Sequence, residues 1–469
     1  MKKRENAYLT VYLTLSLTVL LTLCLLLIEG VRRNGAVLEA TCAADVGMQS
    51  IMAEYHRELM KQYNLFAIDV SYGTSSCVKR NTESHLYQYL EKNLRFGERD
   101  FFALYPNGAE LTGVSILTDG NGQVFRRRAV EAIRDDMGLE ALEQLREWMR
   151  IVEINALEET KPRQEKELLD KEIEEYEFIE EDGTVKKLEN PTGQLNEMRG
   201  KGILKLVLPE GTPLSEKAVS ADALIGSRMK QGKVNHGNME NDSSDETITE
   251  RFLFQEYLIR YMGCYTNEKS EGALGYQLEY LIMGEDYDVD NLRGVAGRLC
   301  ALREAANAVY LFSDMEKRGE AEVLAATICS ALLVPELTPV LQASILLGWA
   351  YAESLYDVEM LLSGKKISLL KDKNSWHLGL SAALDGDFSG SGEEEEGLTY
   401  EDYLRIFMML TDTDTLTMRA MDMVEADIRN TPGNKYFRMD GCYDKIQAKI
   451  NIASRYDYAF ELIREKTYE

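Results

Sequence analysis

Residues 8–28 read YLTVYLTLSLTVLLTLCLLLI, twenty-one positions without a charge. At 1.5 Å rise per residue, a helix over this run is about 31 Å long, the thickness of a hydrocarbon core. Thr10, Thr14, Ser16, Thr18 and Thr22 fit such a helix because a hydroxyl bonds back to a carbonyl one turn earlier. A cleaved signal peptide has a core of only about 7–15 residues, followed by small residues at a cleavage site. Here Ile28-Glu29-Gly30-Val31-Arg32-Arg33 follows without an A-x-A pattern, and Leu21-Thr22-Leu23-Cys24 lacks the small residue of a lipoprotein signal. The run therefore predicts an uncleaved single-pass transmembrane helix in a lipid bilayer. Lys2, Lys3 and Arg4 precede it, against Arg32 and Arg33 beside Glu29, a bias that places residues 1–7 as a cytoplasmic stub and the body outside the cytoplasm.

Outward from the span, residues 29–63 hold helical character without a proline and read as a helical stalk. Val37, Thr41, Ala44, Met48, Ile51 and Tyr55 recur at four- and three-residue spacing, the seam of a short coiled coil. Two occupants suit that seam: a helix of a protein partner, or the chain's own body. Six mostly small side chains bury little area in either case.

Beyond the stalk the fold class reads as α+β, predominantly helical. Residues 64–225 form a mixed α+β region, 226–245 a flexible loop, and 246–469 a mainly helical region with C-terminal strands. In the first of these, helices are expected at His85–Phe96 and from Phe125 to about Ala156, with a charge-dense helix at Glu158–Glu181. Tyr105-Pro106-Asn107-Gly108 reads as a strong turn, and Leu111–Leu117 and Ile203–Leu208 as strands. Apolar residues at helical spacing follow in Glu246–Tyr265, Asp290–Arg318, Glu320–Leu333, Thr338–Leu355 and Tyr400–Arg429, with a second mobile loop at Gly386–Gly397. The tail, Tyr436–Tyr468, alternates Tyr, Phe and Ile with charges, as strands pairing with those near 111 and 203 would.

With 469 residues and 45% apolar content the chain can bury a sizeable core, and its net charge of -26 argues against nucleic acid as a partner. Seven cysteines (24, 42, 77, 264, 300, 329, 442) show no zinc spacing; Cys300 and Cys329 read as buried helical residues, and an extracytoplasmic location permits disulfides. His56, His85, His236 and His377 form no metal motif. No phosphate loop, dinucleotide fingerprint or nucleophile elbow is present, so no cofactor and no catalytic residue is expected.

Three acidic clusters deserve weighing. Asp286-Tyr287-Asp288-Val289-Asp290 alternates like a calcium loop, but Asn291 stands where the tight-turn glycine belongs, so Asp290 is expected to cap the next helix. Asp412 and Asp414 likewise suit a helix start. Asp69-Val70-Ser71-Tyr72-Gly73 and Thr118-Asp119-Gly120 resemble the two strand-end signatures with which von Willebrand A domains hold magnesium, although Gly73 replaces the second serine. That resemblance implies a site built from Asp69, Ser71, Thr118 and Asp119.

A second resemblance covers most of the chain. Ile28-Glu29-Gly30-Val31-Arg32, Ala40-Thr41-Cys42-Ala43-Ala44-Asp45, Glu54-Tyr55 and Tyr63-Asn64-Leu65-Phe66-Ala67-Ile68-Asp69 resemble the start of DUF5702 proteins. Leu278-Glu279-Tyr280-Leu281-Ile282-Met283-Gly284, Asn291-Leu292, Leu302-Arg303-Glu304-Ala305-Ala306-Asn307 and Leu398-Thr399-Tyr400-Glu401-Asp402-Tyr403-Leu404 fit the same family. The resemblance implies an uncharacterised clostridial single-pass protein associated with tight-adherence (Tad) pili, and brings no catalytic residues with it. The first helix is also similar to TadE- and TadG-like minor pilins, yet Met1 to Leu27 lacks the glycine that a prepilin peptidase site requires. Together these readings imply a membrane-anchored extracytoplasmic component or accessory of a Tad-type pilus or secretion apparatus, acting by protein contact. The alternative is a metal-dependent adhesin at Asp69 and Asp119, or a surface enzyme.

Overall fold

The computed structural model describes residues 2–94, 101–134, 143–144, 146–148, 150, 161–179, 185–188, 190–239, 247–386, 388 and 396–468. In chain order the elements begin with α1 (Lys2–Met52), α2 (Arg57–Tyr63), β1 (Ile68–Asp69), α3 (Lys79–Asn93), β2 (Leu104–Ile116) and α4 (Asp119–Ile133). Next come α5 (Lys161–Glu175), the hairpin β3 (Glu177–Ile179) and β4 (Val185–Lys187), α6 (Gly193–Arg199), α7 (Ile203–Val207) and α8 (Ile225–Lys230). The helical run is α9 (Ile248–Tyr261), α10 (Gln277–Met283), α11 (Asp288–Ser313), α12 (Met315–Ala331), α13 (Thr338–Leu362), α14 (Leu380–Asp385), α15 (Tyr400–Leu410) and α16 (Thr413–Arg429). β5 (Cys442–Ser454) and β6 (Ala459–Thr467) close the chain, and the whole is a predominantly helical α+β protein. Two compact units share it: Met1–Arg128 with Arg228–Ser244 and Ile428–Glu469, and Ala129–Ser227 with Asp245–Asp427. The C-terminal strands thus complete the first unit, not the helical region that precedes them.

In the first unit β5 is the central strand of an antiparallel sheet. β2 pairs along one side, from Leu104 opposite Ser454 to Ile116 opposite Tyr443, while β1 and then β6 pair along the other. Along β5, Ile446, Ala448, Ile450 and Ile452 are buried, and Lys445, Gln447, Lys449 and Asn451 are partly exposed. This period of two gives the sheet one apolar and one wet face. On the wet face Lys445 pairs with Glu465 and Lys449 with Glu461.

The apolar face is covered by α3 and by the second half of α1. α1 is one unbroken helix, and Ala36, Ala40, Ala43, Ala44, Met48 and Ile51 form its buried stripe. Small residues let the backbones approach: a Cβ added at Gly47 would lie 3.1 Å from the Leu90 side chain. Of the expected seam, Ala44, Met48 and Ile51 belong to this stripe, Thr41 and Tyr55 are half-buried and Val37 is exposed. The seam is therefore filled mainly by the chain's own body. Tyr55 lies beyond the helix, because the chain turns at 53–56, where Glu54 accepts the hydroxyls of Tyr72 (3.0 Å) and Tyr89 (2.7 Å). α2 then ends on Asn64, which caps it at a left-handed φ of 51°.

Several expectations change here. Tyr105–Gly108 is not a turn but part of β2, with a bulge between Pro106 and Gly108. β2 is an edge strand, where a proline's missing N–H removes no ladder bond. The strand expected at 111–117 does pair with the tail, Leu111 opposite Ala448. Residues 226–239 are held and do not hang loose. Asn238 accepts the Val114 N–H (2.9 Å) and donates to Thr112 O (2.8 Å), so its amide serves as a strand partner for the free edge of β2.

Among its described residues, the named elements of the second unit are helices apart from β3 and β4. α11 packs along α13, and α5, α7, α12 and α14 also lie against α13. Residues 344–358 of α13 are all buried, so over this span the helix has no solvent face. The expected strand at 203–208 is the helix α7, which turns Leu204 and Val207 inward. So short an apolar run carries no period that separates the two states. Two long helices expected from periodicity are broken by caps: Asp314 accepts the Lys317 N–H (2.9 Å) before α12, and Asp412 the Thr415 N–H (2.9 Å) before α16. None of the seven cysteines is joined in a disulfide, and Cys300 and Cys329 are buried. The second half of the helix expected at 125–156 and most of the 386–397 loop lie outside the described residues.

Candidate functional site

The four residues of the von Willebrand-like reading gather at one end of the first unit's sheet. Asp69 pairs with Cys442 and Ile116 with Tyr443, on opposite sides of β5. Their backbones are thus two strand spacings apart, about 10 Å. Each carboxylate is turned onto its own neighbourhood. Asp69 accepts the Ser71 N–H (2.9 Å) and hydroxyl (2.8 Å) in a tight turn that continues through Tyr72 and Gly73, both at positive φ. Asp119 accepts the N–H groups of Ile116 (2.7 Å) and Gly237 (2.9 Å). Gly237 must be glycine, since a Cβ there would meet Asp119 Oδ2 at 2.2 Å and Val114 O at 2.5 Å. Burial raises the Asp69 carboxyl above its usual range, the Ser71 bonds opposing it. Thr118 Oγ1 is buried with no hydrogen-bond partner among the described residues. The structure uses these acids to brace two strand ends.

The calcium-like cluster also disperses. Asp288 is buried and accepts the N–H groups of Gly275 (2.8 Å) and Tyr276 (3.1 Å), whereas Asp290 pairs with Arg293 (2.6 Å). Asp290 is not the cap expected of it: the capping position is Tyr287, and Asp288 and Asp290 occupy the first turn, where negative charge suits the helix dipole.

The densest constellation lies in the second unit and was not legible as a motif. Glu353 and Asp357, four residues apart on α13, meet His377 so that one ligand atom from each falls within 4.8 Å of the others. Lys371 sits among them, its Nζ 3.1 Å from Glu353 Oε1, 2.8 Å from Asp357 Oδ1 and 3.3 Å from His377 Nδ1. Arg303 of α11 donates to Asp357 Oδ2 (2.9 Å), to the carbonyls of Ser368 and Leu369, and to the Tyr403 hydroxyl (3.0 Å). Asn307 adds a bond to Asp357 (3.0 Å), and the His377 and Leu378 N–H groups donate to Glu353. Burial opposes the charge on Asp357, but Arg303 and Lys371 outweigh it and hold the carboxyl below its usual range. Burial likewise opposes the Arg303 charge, and Asp357 reverses this. Two acids face the Arg303 guanidinium and the Lys371 Nζ, so Lys371 already stands where an ion would sit.

A neighbouring acid is less well matched. Glu279 on α10 is fully buried; its Oε1 accepts the Tyr265 N–H and the Tyr400 hydroxyl (both 2.8 Å), and its Oε2 has no hydrogen-bond partner among the described residues. Burial pushes its carboxyl up to about 7. On the surface of this unit, a polar cleft of about 430 Å³ is lined by Lys166, Asp170, Asn196 and Arg199, and an apolar groove of about 640 Å³ by Val323, Leu324, Leu380 and Leu384. In the cleft, burial lowers Lys166, yet Lys166 still holds Asp170 below its usual range against burial.

Tyr400 and Tyr403, in the segment 398–404, thus reach Glu279 and Arg303 in segments 278–284 and 302–307. A family model of unknown function, DUF5702, matches residues 181–454. The chain belongs to this family. No curated protein and no solved structure matches it. The DUF5702 match begins after α1 and contains the Lys371 network, Glu279 and the central strand β5. The segments 278–284, 302–307 and 398–404, which lie within the matched range, are therefore polar ties inside one helical core.

Proposed function

We propose that this chain is a single-pass membrane protein that works by binding other proteins and not by catalysis, as an extracytoplasmic accessory of a Tad-type pilus or secretion apparatus. One observation carries the proposal. α1 is long and apolar enough to cross a membrane, and no part of its apolar window is buried in the protein, while its second half is built into the first unit's core. Sixteen apolar side chains between Tyr8 and Ile28, left uncovered by protein, favour hydrocarbon as their surroundings. The cytoplasmic N-terminus rests on the excess of Lys2, Lys3 and Arg4. The binding role is supported by polar clusters that are satisfied by the protein's own groups and by the exposed apolar groove along α12 and α14. The Tad assignment rests on resemblance alone.

Membranes from cells making the full chain should retain it through a carbonate wash and release it to detergent. Recovery in the carbonate supernatant overturns the anchor. Leu38, 65% exposed on α1, suits a partner search better than the buried Ala44. Leu38→Cys with a thiol crosslinker in native cells should trap a protein of the pilus apparatus, and recovery of uncrosslinked protein only would overturn the partner assignment.

A further inference from the structure

Aromatic and cationic side chains of the first unit ring α1 where its apolar run ends. The Tyr458 hydroxyl donates to Glu29, the residue after Ile28. Arg32, one turn on, lies 4.0 Å over the Tyr456 ring and 3.4 Å from the Tyr458 hydroxyl. Both tyrosines belong to the tip of the β5–β6 hairpin. The segment entering β2 folds to the same level: Phe102 packs on Gly35, Ser454 Oγ donates to Phe102 O (2.7 Å), and the Arg455 N–H donates to Ala103 O (3.1 Å). Phe101 touches Phe102 edge-on and is 54% exposed; Tyr105 is 46% and Tyr456 43% exposed, and Arg33 and Arg455 also face outward.

Helix rise places Arg32 about 6 Å and Gly35 about 10 Å beyond Ile28. A bilayer of about 40–45 Å around a core of about 30 Å has headgroup layers some 5–8 Å deep. The level of Arg32 and the Tyr456 ring therefore falls inside the headgroup layer, where aromatic side chains with an apolar body and a wet end are at home, and the level of Gly35 and Phe102 at its outer edge. Arginines at that level meet headgroup phosphates. We propose that the hairpin tip and the Phe101–Tyr105 segment form a collar that seats the first unit directly on lipid headgroups, so that the unit does not stand away on a stalk. This rests on the anchor reading above and adds a second, peripheral contact with the same bilayer. The strongly negative chain makes zwitterionic phosphatidylcholine the appropriate surface.

Tryptophan placed at four sites of the full chain tests the collar in phosphatidylcholine nanodiscs, with and without bromine on the acyl carbons nearest the headgroup. Phe101→Trp and Tyr456→Trp report the collar, Tyr12→Trp the span, and Tyr436→Trp, 47% exposed near the opposite end of β5, the distal surface. The emission of the three native tryptophans is subtracted using the unsubstituted chain. Tyr12→Trp and Tyr456→Trp should lose added emission to bromine, Phe101→Trp should lose less than Tyr456→Trp, and Tyr436→Trp none. Quenching at Tyr12→Trp without quenching at either collar site overturns the collar and leaves the anchor standing. Absence of quenching at Tyr12→Trp overturns the anchor itself. Blue-shifted but unquenched emission at Phe101→Trp and Tyr456→Trp means that protein covers the rings, which also overturns the collar.

Discussion

The sheet of the first unit and the helix pair at the centre of the second deal with charge in different ways. β5 alternates, so Lys445 and Lys449 go to the wet face and Ile446, Ala448, Ile450 and Ile452 to the core. α13 is enclosed over residues 344–358, so Glu353 and Asp357 have no wet face to turn to. A period of two lets a strand sort polar from apolar residues against one core, whereas a helix packed all round must neutralise inside any charge it carries. Arg303 and Lys371 do this for α13.

If that contrast is correct, the largest effect comes from breaking the buried network. Lys371→Met should cost about 3–5 kcal/mol, because two carboxylates lose a cation in a place where neither can be hydrated. Urea unfolding measures the loss, and hydrogen exchange locates it. A weakening of the first unit's amides as large as the second's would break the comparison, since the two would then unfold as one. Next comes Glu279, whose carboxyl is raised from 4.5 to about 7 in the fold. The folded state then holds a proton that the unfolded chain has released, so stability is fully present below about pH 4.5 and declines as pH rises to about 7, by about 3 kcal/mol in all. Glu279→Gln should flatten that limb of the stability profile, and an unchanged slope would refute the assignment. The smallest effect is expected in the first unit, where Ala44→Leu overpacks α1 in its apolar, uncharged seat and should cost about 1–3 kcal/mol by thermal unfolding. An unchanged melting temperature would mean that the buried stripe is not close-packed.

Legibility followed the range of the interactions. The long apolar helix was readable because its length and apolar run depend on consecutive residues, and the tail strands because alternation is local. The Lys371 network was not, because Arg303, Glu353, Asp357, Lys371, His377 and Tyr403 span a hundred positions with no fixed spacing. One signal was present: Glu353 and Asp357 are acids four apart in a mostly apolar helix that carries no basic residue, where an unpaired buried charge would be prohibitive. At Asp69 and Asp119 residue types suited a metal, whereas their oxygens are engaged by Ser71, Ile116 and Gly237, contacts that the sequence does not display. In α1 the spacing of Ala44, Met48 and Ile51 marked a buried stripe but could not say what buries it.

By itself, then, the sequence determined a helix fit to cross a bilayer, a predominantly helical α+β body, and the pairing of the segment near Leu111 with the tail. Each depends on patterns within a dozen residues, where helix rise and strand alternation act directly. Tertiary structure alone decided that the stalk's seam belongs to the chain's own core, that Ile203–Val207 is a helix, and that charges from α11, α13 and the Lys371 segment neutralise one another. Those outcomes depend on which surfaces meet, and burial then sets both the conformation of a short apolar run and the partner that a charge must find.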